Sequence, residues 1–329
     1  PGPYPRTAPR TGEGAVFQYL VQQAAASIVV LWVVVTLTFF LIQSAPGTLS
    51  ILADPELDPR VAAMVEERLG LDQPVWRQYG RWMGNLLQGD LGASLVYSRP
   101  VVEVIWSRLP ATLLLGTAAL LVTLLVGIGA GSYAARHPNA PLDQAMNFLA
   151  VVGLATPNFW LGILLILLFS VNLGWLPSSG LRTLGTPFDL GDRLLHLVLP
   201  TIVLASSSAA ELMRYTRSAW LDVMSQDYVR TAHSKGVSPG AVDRRHVMRN
   251  ALVPLLTVVG LFLPRLVGGA AVIESVFAWP GMGLLAVEAA MNRDSTLILG
   301  TTIFVSVAII VSNLFVDVLY GLVDPRIRY

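Results

Sequence analysis

The stretch RYTRSAWLDVMSQDYVRTAHSKGVSPGAVDRRHVMRNALVP, residues 214–254, is a polar and basic interruption between two hydrophobic runs. It is where a soluble partner can take hold. From 221 to 235, Leu221, Met224, Tyr228 and Ala232 recur at three- and four-residue steps, which predicts one helix carrying them on a shared face. Gly236 then allows the chain to reverse. Ser238-Pro239 reads as an N-cap and first helical position, so a second helix is expected to run toward Asn250 with Arg244, Arg245 and Arg249 on its surface. The same charges also fit a plainer alternative, a basic juxtamembrane loop lying on anionic lipid.

With 54% hydrophobic and only 13% charged residues, the chain is far less charged than a soluble protein, in which about a quarter of residues are charged. It reads as a membrane protein. The net charge of +1 says little in sum, and Lys235 is the single lysine. The absence of cysteine excludes disulfides, thiolate metal sites and cysteine nucleophiles. Residues 1–15 open without methionine and are expected to be disordered, with no cleavable signal organisation because the first apolar run is too long.

A spanning helix needs about 20 mainly apolar residues, since in hydrocarbon the backbone must satisfy its own hydrogen bonds. Six runs meet this: 24–42, 111–135, 146–173, 194–213, 252–273 and 296–316. The sequence therefore predicts an all-α protein with six transmembrane helices, divided into 16–110 (first span plus an external helical loop) and a five-helix core, 111–329. An even number of spans puts both termini on one side, and the positive-inside rule places that side in the cytoplasm with Arg136 and the 214–250 loop. The acidic segment holding Asp54, Glu56, Asp58, Glu66, Glu67 and Asp72 then lies outside. Within it, Asp58-Pro59 starts a helix that Gly70 can end, and Gln73-Pro74 starts another that carries Trp76, Tyr79 and Trp82 toward Gly89. These aromatics suit the outer lipid interface, with a partner-docking surface as the alternative.

Catalytic chemistry is hard to place. A phosphate-binding loop needs a Gly-Lys-Ser/Thr ending, but Lys235 is followed by Gly236 and Val237. His137, His196, His233 and His246 lack metal spacing, and there is no GxSxG elbow, so no metal site and no enzyme are expected. Charge within hydrocarbon is costly and often functional. Arg265, next to the kinking Pro264, is the clearest case, and snorkelling to the headgroups is its plainer explanation. Glu211 can pair with Arg214 or face a polar path. Asn158, Ser206, Ser207, Glu211, Pro264, Arg265, Gly268 and Gly269 are the candidate path residues, against ordinary helix packing. In ESVFAWPGMG, residues 274–283, Pro280 and Gly281 form turns, and the segment is apolar enough to dip back into the protein.

DYVRTAHSKG at 227–236 resembles the cytoplasmic "EAA" loop of binding-protein-dependent ABC importer permeases. APG at 45–47, RLGLDQP at 68–74, GDLGAS at 89–94, RLPATL at 108–113, NFWLGILLILLFSVNLGWLPSSG from Asn158, ESVFAWPGMG, NRD at 292–294 and the terminal DPRIRY extend the likeness over about 16–329. Their order and spacing resemble the B-type subunit of the dipeptide/oligopeptide (and nickel) permease subfamily. The resemblance implies a type I importer permease in a bacterial cytoplasmic membrane. It would form a peptide pathway with a second homologous permease, next to two ATPase subunits or one two-domain ATPase and an extracytoplasmic substrate-binding protein. ATP and Mg would be bound by the ATPase, with no cofactor in this chain and no nucleic-acid partner.

The resemblance also implies that the loop couples to the ATPase through Asp227, Tyr228, Arg230, Thr231, Ala232, Lys235, Gly236, Ser238, Pro239, Arg244, Arg245 and Arg249. Arg230, Thr231 and Ala232 occupy the signature triplet, with arginine where its name has glutamate. By analogy, Glu274, Phe277, Trp279, Pro280 and Gly281 are expected near the binding protein. Import of nickel or another small solute remains an alternative. So does an ATP-independent secondary transporter or channel, which would need an internal repeat or an intramembrane ion site.

Overall fold

A computed structural model describes residues 13–44, 60 and 73–323, of which 13–20, 256–257, 263–269 and 317–323 are described by backbone alone. The acidic helix expected after Asp58 and the two chain ends lie outside the described residues. Among the described residues there is no strand, only an isolated bridge between Ala93 and Pro100.

Helix α1, Glu13–Ser44, contains the first predicted span. Helix α2, Val75–Leu87, starts immediately after Pro74, whose carbonyl accepts from Arg77 N at 2.8 Å. It ends as Gly89 adopts φ +81°, in the left-handed region open to glycine. Tyr79 and Trp82 are half-buried against α1. Their rings pack 5.4 Å from Phe39 of α1, and Thr36 Oγ1 lies 2.8 Å from the Tyr79 hydroxyl. Trp76, by contrast, is 71% exposed.

Helix α3, Val101–Arg136, begins ten residues before its predicted span. Pro110 sits within it, and the added turns bury Val101, Val104 and Ile105 against Met282, Leu285 and Leu297. The third predicted span breaks in two. Helices α4, Pro141–Ala155, and α5, Asn158–Leu165, the latter continuing in wider turns over Ile166–Asn172, meet at 107°. Pro157 is the cause: it offers no N–H and drives Thr156 to an extended ψ of 122°.

Helix α6, Leu190–Met224, opens on Asp189, whose carboxylate accepts from Gly191 N at 2.8 Å. It overruns the predicted span at both ends. Helices α7, Asp227–Ser234, and α8, Pro239–Val242, form the basic loop, and a wide turn at Asp243–Val247 leads into α9, Met248–Val276. Helices α10, Met282–Met291, and α11, Ser295–Val323, complete the order.

Among the described residues, four helices are long and apolar enough to cross a membrane, or five with the bent α4–α5 pair as one span, where the sequence predicted six. Helix α9 occupies the fifth predicted position, but side chains in its middle lie outside the described residues. Small residues set the closest helix approaches. A Cβ on Gly127 would lie 2.7 Å from Leu212 Cβ, and one on Gly131 only 2.5 Å from the Met213 carbonyl oxygen, so α3 and α6 nearly touch backbones. Gly260 of α9 faces Val316 of α11 in the same way, at 2.5 Å.

Candidate functional site

The loop between α6 and α9 is a folded element with an apolar underside. Helix α6 stops at Met224, and Gln226, at ψ 146°, restarts the chain as α7. The single helix expected over 221–235 is thus two. Its buried face also differs: Val229 and Ala232 turn inward, whereas Tyr228 is 44% exposed. Gly236 makes the reversal at φ +73°, and its N–H donates to the His233 carbonyl at 2.9 Å. Ser238 caps α8 with its carbonyl, which accepts from Ala241 and Val242 N, while its side chain makes no capping bond. The second helix does not end near Asn250. It passes through the wide turn and continues as α9.

Under the loop, Val229, Ala232, Val242 and Val247 join one apolar cluster with Trp220 and Leu212 of α6, Ala135 of α3, and Ala251 and Leu255 of α9. Burying this surface fixes the loop to three helices, since each fully buried aliphatic side chain contributes about 1.5–3 kcal/mol. Two carboxylates add direction. Asp243 accepts from Trp220 Nε1 at 3.0 Å through Oδ1, and its Oδ2 lies 3.5 Å from Arg136 Nε. Close by in the chain order of α6, Arg217 donates from Nε and a terminal nitrogen to both oxygens of Asp143, at 2.8 and 2.9 Å. Asp143 also accepts from Asn139 N and Asn147 Nδ2, which satisfies a carboxylate that is only 2% exposed.

The outward face is basic. Asp227, Tyr228, Arg230, Thr231, Lys235, Gly236, Ser238, Pro239, Arg244, Arg245 and Arg249 are all exposed. Arg230 and Asp227 approach at 3.8 Å, with side chains 74% and 98% exposed, so the pair adds little stability. Ala232 is the exception among the predicted contact residues: it is 8% exposed and faces the cluster, so it supports the loop from beneath.

The candidate path residues are less unified. Asn158 opens α5 just after the 107° bend. Ser206 gives its hydroxyl to the Val203 carbonyl of its own helix at 2.8 Å, and Ser207 is half-buried. Glu211 lines an open pocket of about 490 Å³ with Leu154, Arg214, Tyr215 and Ser218. Pro264, Arg265, Gly268 and Gly269 are described by backbone alone.

The 274–283 segment folds inward, in keeping with its apolar character. Glu274, Phe277 and Trp279 are at most 1% exposed, Gly281 is buried and Pro280 half-buried. Trp279 Nε1 donates to the Ala111 carbonyl at 2.9 Å. Glu274 accepts from Thr112 Oγ1 at 2.8 Å and Leu284 N at 2.9 Å, and Thr112 Oγ1 in turn accepts from Met282 N at 2.7 Å. A Cβ at Gly281 would overlap the Glu274 carboxylate. The N–H groups of Met282 and Leu284 are thus satisfied by side chains within the protein.

A further network missed in the sequence joins the same end of the bundle. Ser94 donates to Asp294 at 2.6 Å, and Asp294 also caps α11 through Leu297 N at 3.0 Å. Tyr97 donates to Glu288 at 2.8 Å, with Arg108 3.6 Å from Glu288. Among the described residues no cluster of three or more histidine or acidic groups suits a metal ion.

Residues 127–329 match the family described as "Binding-protein-dependent transport system inner membrane component", and 16–116 match the family of its N-terminal region. The chain belongs to this family. The permease is 42% identical over 313 residues to the oligopeptide transport system permease protein AppB of Bacillus subtilis, covering 94% of this chain and 99% of that one. It is 43% identical to a putative peptide transport system permease protein of Brucella abortus, over 94% and 98% of the two chains. It is 39% identical to the glutathione transport system permease protein GsiC of Escherichia coli K12, over 95% and 100%.

Its fold is shared with an inward-facing structure of the MetNI methionine ABC transporter, at TM-score 0.54 and 18% identity, over 67% of this chain and 96% of that one. An amino acid ABC transporter gives 0.50 and 17%, over 69% and 95%. The permease is therefore a membrane-spanning subunit of a binding-protein-dependent importer, a class that works with ATPase and substrate-binding partners.

Proposed function

We propose that this permease pairs with a second homologous permease to form an import pathway for di- or oligopeptides. Two ATPase subunits, or one two-domain ATPase, drive it, and an extracytoplasmic binding protein delivers the solute. The observation that carries this reading is the two-faced loop: apolar and pinned to α3, α6 and α9 beneath, exposed and basic above. Such a face suits an acidic groove on a soluble subunit, and the relatives named for oligopeptide, peptide and glutathione transport support the solute class.

In this reading the loop and both termini face the cytoplasm of a bacterial inner membrane, in keeping with the arginines of 214–249. ATP and Mg are held by the ATPase, and this chain contributes no catalytic group. ATP binding favours one of two helix arrangements because the ATPase grips the loop differently in each, and a ligand shifts an equilibrium only by such differential binding.

The test is uptake of a labelled tripeptide mixture by vesicles holding the whole complex, with and without the ATPase. Arg244→Glu with Arg245→Glu, and separately Gly236→Val at its left-handed φ, are expected to abolish uptake while ATP hydrolysis continues. Unchanged uptake by both variants, or full uptake without ATPase, would refute it.

A further inference from the structure

Asp243 uses its two oxygens on two different helices, Oδ1 on Trp220 of α6 and Oδ2 on Arg136 of α3. Those helices are already locked together, because Gly127 and Gly131 let α3 meet Leu212, Met213 and Thr216 of α6 at distances no side chain would permit. Trp220 is itself 1% exposed and packed under the loop. Arg217, three residues earlier on α6, extends the body to α4 through Asp143.

The backbone leaving the loop is soft by comparison. On one side the α6 ladder is interrupted at Ser225–Gln226, and on the other the wide turn at Asp243–Val247 lacks the tight α-helical repeat. A displacement of the loop would be absorbed at these two breaks unless side chains bridge them. Asp243 stands at the head of the second break and bridges to both helices.

We propose that Asp243 is a positioning residue that makes the loop, α3 and α6 one rigid lever, so that a push on the loop moves the helices instead of flexing its exits. This rests on the coupling role proposed above for the loop. The Arg136 arm is partly exposed, 43% against 25% for Asp243, so its contribution is to geometry more than to stability. Three variants separate the arms. Trp220→Phe keeps the ring and removes the N–H, Asp243→Asn keeps an acceptor for Trp220 and removes the charge facing Arg136, and Asp243→Ala removes both.

The chain has no cysteine, so Leu125→Cys on α3 and Val311→Cys on α11, both outward-facing, give a unique spin-label pair within it. The measurement is the label distance in the complete complex in lipid nanodiscs, without nucleotide and with ATP and Mg. No transported solute has to be known. The labelled parent is expected to switch between two distance populations. Asp243→Ala is expected to lower the fraction that switches roughly five-fold or more, the low end of measured inter-site couplings, while ATP hydrolysis continues. The two single-arm variants fall between, and Trp220→Phe adds nothing to Asp243→Ala.

If all three variants switch like the parent, or lose switching only in proportion to lost assembly, the inference is overturned. Should Asp243→Ala fail to assemble, Trp220→Phe decides, because it leaves the packed ring in place. A parent complex that never responds to ATP would instead strike the coupling role itself, and this inference with it.

Discussion

Gly131→Ala should destabilise the permease, whereas Gly129→Ala, two residues away on the same helix, should not. A Cβ at 131 would sit 2.5 Å from the Met213 carbonyl oxygen and 2.6 Å from Thr216 Cβ. Favourable contacts start near about 3.5 Å, so one of the helices must retreat by roughly 1 Å. Neither neighbour can rotate aside, as one is backbone and the other a β-carbon. Overpacking of this kind costs about 1–3 kcal/mol. Both alanines also gain helix propensity, about 1 kcal/mol each, and that gain cancels in the comparison. A Cβ at Gly129 meets nothing within 4 Å. The difference between the two variants therefore isolates the clash. Unfolding by SDS in mixed micelles, followed by tryptophan fluorescence, measures it, with Trp220 buried close to the site. A difference below about 0.5 kcal/mol, the scatter of neutral surface changes, would refute the tight α3–α6 contact.

A double-mutant cycle of Asp143→Asn and Arg217→Met in the same assay should give a coupling of about 1–3 kcal/mol, given the two short bonds between them; an additive result would mean the pair is not formed. Thr112→Val keeps the shape but leaves Glu274 and Met282 N each short of a partner, so a loss of about 1–3 kcal/mol is expected, and an unchanged midpoint would contradict the bonding around 274–283. Burial and the neighbouring Glu288 carboxylate push the Tyr97 phenol above its usual 10.0. Because the folded value is the higher one, the Tyr97 contribution is complete below the unfolded value of about 10 and is lost as pH rises through the folded value. Tyrosinate absorbance of the parent minus that of Tyr97→Phe should thus show a late-titrating tyrosine, and an ordinary curve would contradict its placement.

The apolar runs were legible because hydrocarbon leaves the backbone few options, and five of the six each lie on one helix. Their ends were not. Residues 101–110 and 214–224 are too polar or interrupted to read as span, yet they continue α3 and α6 because they pack on other parts of the protein. In the third run, hydropathy is blind to direction, and Pro157 decides the course. In the loop, periodicity alone preferred Tyr228 to Val229, because it carries no information about the helix break at Ser225–Gln226. The buried joints were hardest to see. Ser94 and Asp294 stand 200 positions apart, and each is unremarkable until the fold brings GDLGAS against NRD. Asp143 carries a usable signal, a carboxylate opening an apolar helix, which calls for a cation partner.

The described bundle places its polar bonds unevenly, and this bears on how it can move. At one end the Ser94, Tyr97, Asp294 and Glu288 contacts tie the turn before α11 to the start of α3; at the other, Asp143 and Asp243 tie α4 and the loop to α6. Between them α3 and α6 meet through glycine. A two-state cycle still requires some backbone to deform, and deformation costs least where the helical hydrogen-bond ladder is already broken. In the described chain those places are the bend at Thr156–Pro157, the wide turns at 166–172 and 243–247, and the break at Ser225–Gln226. Two of the four flank the basic loop. Side-chain bridges at that point therefore determine whether a movement of the loop reaches the helices or is spent beside it.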